Sequence, residues 1–137
     1  MVSLLREVIL TERAPRPIGP YSQAIKVGPF IFGSGQIPID PNTGAMVKGD
    51  IRVQTRRVME NIRAILESVG YSMDDIVFVT VFLRNLGDFN AFNEEYSKYF
   101  RSAPPARTTV EVSNLPKGAL LEVNFIAYRQ HSTYQGR

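Results

Sequence analysis

The sequence predicts an α+β domain, one sheet with two helices packed on one face. Three observations carry this. Residues 51–69 and 88–100 repeat apolar side chains at helical spacing. Short alternating or β-branched runs lie before, between and after them. The order strands, helix, strand, helix, strands is that of a layered α+β fold. At 137 residues with 44% hydrophobic side chains, the chain is read as a single domain, 1–137, with enough apolar material for one core.

Residues 5–10 read as a strand. Pro15, Pro17 and Pro20 then stiffen a loop in which Gly19 permits a turn. Ser22 to Val27 and Phe30 to Gly33 form strands around a Gly28-Pro29 turn, and residues 40–44 supply a second turn signal. Val58, Ile62, Ile65, Leu66 and Val69 mark the buried stripe of the first helix, with Asp50 as cap and Gly70 as stop. Arg56–Glu60 and Arg63–Glu67 have the spacing of pairs on a solvated face. Ile76 to Leu83 is nearly unbroken in apolar character and reads as a central strand covered on both faces. Asp88 caps a second helix whose Phe89, Phe92, Tyr96 and Phe100 point to the core. Arg107 to Val112 and Leu120 to Tyr128 read as a closing hairpin, and residues 129–137 as a polar tail.

Composition excludes several chemistries. With no cysteine there is no disulfide, thiolate metal site or cysteine nucleophile, which fits a reducing cytoplasm. His131 is the single histidine, so a histidine metal site is excluded and a Ser-His-Asp triad is not expected. The net charge of +3 is short of the basic stripe of a nucleic-acid binder. The first ten residues are too charged for a signal-peptide core, and no run has the length of a membrane span.

The last strand does not read as simple packing. Leu121, Val123, Phe125 and Ala127 form an apolar underside, while Leu120, Glu122, Asn124, Ile126 and Tyr128 share a mixed face. Such a face suggests an interface or a lined cleft; a solvent-facing Glu122 is the plain alternative. Arg107, held stiffly after Pro104-Pro105, suits bidentate capture of a carboxylate, with an ordinary surface arginine as its alternative. In a simple hairpin Glu122 falls opposite Val110, too far from Arg107 for a direct salt bridge.

From about Ala14 to Arg129 the chain resembles the Rid/YjgF family, also called L-PSP. The segments are Ile18-Gly19-Pro20-Tyr21-Ser22-Gln23-Ala24, Ser34-Gly35-Gln36-Ile37-Pro38 with residues 41–44, Asn61-Ile62, Gly70, Phe89-Asn90 with Asn93, Tyr96-Tyr99-Phe100, residues 105–112, Leu115-Pro116-Lys117 and Leu121-Glu122-Val123. The resemblance implies a chorismate-mutase-like mixed sheet and a homotrimer whose sheets form a central barrel, with ligand clefts between subunits. It implies a 2-iminobutanoate/2-iminopropanoate deaminase, hydrolysing enamine and imine acids such as 2-aminoacrylate to 2-keto acids and ammonia, without metal or organic cofactor. It assigns the carboxylate to Arg107 and the water to Glu122. Tyr21, Ser34, Gly35 and Asn93 are placed at the cleft. Thr109 stands where many members carry cysteine, so it is a ligand contact and never a thiolate. An RNA-directed ribonuclease or translation inhibitor, and a non-catalytic ligand sensor, are the alternatives within the same fold.

Overall fold

The computed structural model describes residues 5–130; residues 131–137 of the anticipated tail, with His131, lie outside them. The elements follow the predicted order: β1 (Arg6–Ile9), β2 (Ala24–Val27), β3 (Phe30–Gln36), α1 (Ile51–Glu67), β4 (Ile76–Leu83), α2 (Phe89–Ser97), β5 (Ala106–Glu111) and β6 (Leu121–Tyr128).

The sheet order is β1-β2-β3-β6-β4-β5. This corrects the expected β5–β6 hairpin. β5 pairs with β4 in parallel, Arg107 beside Val79, and β6 runs antiparallel between β3 and β4. The reason is α2. A helix joining two strands is a crossover, and it returns the chain parallel to the strand it left. Glu122 is still level with Val110, because both pair with Phe82, but β4 lies between them.

α1 starts where Asp50 accepts the Val53 N–H at 3.1 Å. It stops before Gly70, whose φ of +83° suits a residue without Cβ, and the Tyr71 N–H closes on the Leu66 carbonyl at 2.9 Å. Asp88 does not cap α2 with its side chain; Asn85 accepts the Gly87 N–H instead, in a 3₁₀ turn that precedes the helix. The two helices cover one face, over a core that includes Val58, Ile62, Leu66, Val79, Val81, Phe92, Leu121, Val123 and Phe125. Phe89 stays 38% exposed, so it is not a core residue as expected.

Two further expectations change. β4 has strands on both sides, but Phe78, Thr80 and Phe82 on its second face are only half-buried, with no helix over them. The pairs Arg56–Glu60 and Arg63–Glu67 read along α1 give way to other partners. Arg52 meets Glu94 at 2.8 Å, Arg56 meets Glu95 at 3.1 Å, and Arg63 turns back to Glu60 at 3.5 Å.

Candidate active site: two half-sites on opposite faces

Glu122 projects from β6 on the uncovered face. A cleft of about 360 Å³ holds it with Ile18, Tyr21, Ser34, Gly35, Ile37 and Pro116. Its carboxyl lies against the β3 backbone at Gly35, where an added Cβ would collide with Oε2. Glycine is therefore what lets the carboxyl approach this strand. Burial raises the Glu122 pKa above the ordinary carboxylate value, because the charged form loses water. Among the described residues no cation lies within ion-pair distance of it.

Tyr21 and Ser34 flank this carboxyl from the stiff loop and from β3. The Tyr21 hydroxyl oxygen accepts the Ile18 N–H at 3.2 Å, leaving its own proton to donate. Ser34 donates its hydroxyl to the Ser22 carbonyl at 2.6 Å, and its N–H to Gln23 at 3.0 Å.

Arg107 projects from β5 on the helix face, as its register with the core residue Val79 requires. Its guanidinium stands 4.9 Å from the Tyr96 ring, 5.3 Å from Phe92 and 5.6 Å from Phe89. These rings orient the cation without neutralising it. It opens on a cleft of about 520 Å³ shared with Asn93, Tyr96, Ser97, Phe100, Pro104 and Pro105. Thr109, two residues along β5, shares the Arg107 face and is half-buried.

The predicted site residues thus fall into two groups. Tyr21, Ser34, Gly35 and Glu122 come together; Arg107 and Asn93 come together, with Thr109 beside them. Within one chain the sheet separates the groups.

A family model described as Endoribonuclease L-PSP matches residues 11–129. The chain belongs to the Rid/YjgF (L-PSP) family. A Rid-family relative from Pyrococcus abyssi, named a RutC family protein, is 62% identical over 93% of this chain and all of that one. The human 2-iminobutanoate/2-iminopropanoate deaminase is 42% identical, and 93% of each chain is covered. The crystal structure of E. coli TdcF with bound serine is 41% identical with a TM-score of 0.87, covering 90% of this chain and 99% of that one. The Rid-type α+β fold is therefore common to all of them. No helix among the described residues is long and apolar enough to cross a membrane.

Sequence reasoning missed the rings around Arg107 as a unit, having placed all of them in the core. It also missed the loop residues Ile18, Ile37 and Pro116 as cleft walls. The signal for the rings was present: α2 follows β4 and precedes the arginine strand, so its aromatic stripe had to lie over Arg107 once β4–α2–β5 was read as a crossover.

Proposed function

We propose that the protein is an imine/enamine deaminase that works as a homotrimer, converting small 2-imino acids to 2-keto acids and ammonia. The observation that carries this reading is the pair of half-sites kept apart in one chain: a half-buried carboxyl and a ring-braced guanidinium, each without an ion-pair partner among the described residues. Because β5 is the edge strand of the sheet, seating that edge of one subunit over the open face of the next would bring the Arg107 cleft of one to the Glu122 cleft of the other. The human relative's name and the serine bound to TdcF support the choice of an amino-acid-like ligand.

The chemistry follows from the groups. Arg107 binds the substrate carboxylate in a bidentate manner and fixes the imine carbon, a contribution of position. Glu122 takes a proton from water as the oxygen adds to that carbon, and the C=N π pair moves to nitrogen. General-base action of this kind is worth ~10²–10⁴-fold. Glu122 returns its proton to the nitrogen, giving a neutral carbinolamine; this collapses as the hydroxyl proton passes by way of Glu122 to nitrogen, the C–N bond breaks, a C=O forms and ammonia leaves. The raised Glu122 pKa makes it a better base once ionised, so activity falls on the acid side through a value above the ordinary carboxylate range. A cytoplasmic location fits this reading, as the cysteine-free sequence suits a reducing compartment.

The test is keto-acid formation from freshly generated 2-aminoacrylate. Wild type is expected to accelerate it, and Arg107→Ala and Glu122→Gln to lose ~10²-fold or more while remaining folded. Full turnover in folded Arg107→Ala would remove the carboxylate role. No acceleration by wild type would sink the deaminase reading in favour of a sensor or RNA-directed activity; RNA binding that weakens steeply with salt would select the latter.

A further inference from the structure

Three walls of the Glu122 cleft come from connecting segments: Ile18 and Ile37 from loops, and Pro116 from a single 3₁₀ turn between β5 and β6. Loops lack the ladders of a sheet and open easily unless something ties them down. Here each is tied by one buried side-chain amide.

Gln23, 1% exposed, holds the first. Its Nε2 donates to the carbonyls of Pro15 at 2.9 Å and Thr11 at 3.0 Å, and its Oε1 accepts the Thr11 N–H at 2.8 Å. Asn61 on α1 holds the second, donating to the Ile39 carbonyl at 3.0 Å. Gln54, two turns earlier on α1, reaches two loops at once. It donates to the Val47 carbonyl at 3.2 Å and accepts the Leu120 N–H at 3.0 Å, tethering the stretch that carries Pro116. Behind the cleft these two loops pack together through Ile37, Ile39 and Ala119, with Met46 and Leu115, in an apolar cluster separate from the main core.

Gln54 and Asn61 interrupt the apolar stripe of α1, where a leucine would pack without the cost of burying an amide. What leucine lacks is the means to hold loop backbone. We propose that Gln54, Asn61 and Gln23 are positioning residues of the Glu122 site, fixing the three loop walls that limit water around the carboxyl. The proposal rests on Glu122 being the reacting base. It goes further in assigning the dryness of that base to amides that touch neither substrate nor Glu122.

The electrostatics support it. The titratable group sharing the cleft with Glu122 is Tyr21, and the β4 neighbour Phe82 is uncharged. Within one chain burial is the cause of the raised pKa. The Arg107 that the proposed trimer brings from the next subunit acts alike in wild type and variants, so the difference between them is what the walls set. The proton affinity of Glu122 therefore reports how closed the walls are.

The experiment is a ¹³C carboxyl NMR titration of Glu122 in the full-length protein, in wild type, Gln54→Met and Gln54→Glu, with Glu122→Gln assigning the resonance. Methionine keeps the length and removes both hydrogen bonds; glutamate keeps the oxygen that accepts from Leu120. In Gln54→Met the Glu122 pKa is expected to fall by about half a pH unit or more toward the ordinary value, with Gln54→Glu between it and wild type. In the imine assay kcat falls about tenfold with KM within about twofold, since Arg107 is untouched. Gln23→Met applies the same test to the Ile18 wall, so loss of fold in one variant leaves the other to decide. An unchanged Glu122 titration in a folded variant overturns the proposal. The titration needs no substrate, so a wild type inactive on imines defeats the deaminase reading and leaves the wall measurement standing on its own.

Discussion

Glu122 is a residue the fold holds against its own charge. The cleft half-buries it, Gly35 lets it lie against β3, and no described cation compensates it. A carboxyl whose folded pKa is raised above its unfolded value stabilises the fold only below the unfolded value, 4.5, and that contribution is lost as pH rises through the folded one. At neutral pH the ionised side chain therefore weighs against folding. Glu122→Gln should raise the melting temperature at pH 7 by on the order of a few °C, even as it lowers the proposed turnover. The gain should vanish as pH falls below 4.5. Thermal melts of both proteins across pH 4–7 check this, and a variant that melts lower than wild type at pH 7 would show that the carboxylate is a net stabiliser.

At the scale of elements, the joint between α1 and α2 is electrostatic as well as apolar. Glu95 is 3% exposed, with Arg56 at 3.1 Å from one helix and Lys98 at 3.2 Å from its own. The hydrogen bond from Arg56 is the largest influence holding the Glu95 carboxyl below its ordinary value, ahead of the opposing effect of burial. A depressed folded pKa gives stability that is present above the ordinary 4.5 and lost as pH drops through the folded value. Glu95→Gln should thus lower stability at pH 7 by about 1 kcal/mol, since both cations reach solvent, and the deficit should shrink in acid. Denaturant melts at pH 7 and pH 3 would expose the opposite trend if it held. This joint was hidden in the sequence. Arg56 has a glutamate at the favourable helical spacing, and nothing local tells it to prefer one 39 residues away. The helices themselves were legible because amphipathic periodicity and Asp50 are local signals. The partner of β5 was not, because strand pairing is decided by the crossover and not by the nearest turn.

For the whole molecule, the governing fact is a sheet with helices on one side only. Across the other side runs an apolar row, Val8, Ile25, Phe32, Ile126 and Phe78, in register from β1 to β4. Phe32 is 45% exposed and Phe30 40%. In the middle of this face the Asn124 Oδ1 is buried without a hydrogen-bond partner among the described residues. The mixed face was legible from the alternation in β6. Residues that line the two clefts were named from the sequence, and Arg107 was set apart from Glu122, but not on opposite faces, because alternation says which residues share a face of one strand and nothing of which face another strand presents. Under the proposed function that division ties assembly to chemistry. Phe32→Glu places a charge on the open face, where an isolated chain tolerates it, but an apolar interface does not. It should keep the circular dichroism of wild type while its mass by light scattering falls from three chains to one of 15.4 kDa. Deamination should fall with it, although Arg107, Glu122 and every residue lining their clefts are intact. A folded, monomeric Phe32→Glu with full turnover would mean that one chain joins the two half-sites by itself, and a monomeric wild type would end the trimer reading outright.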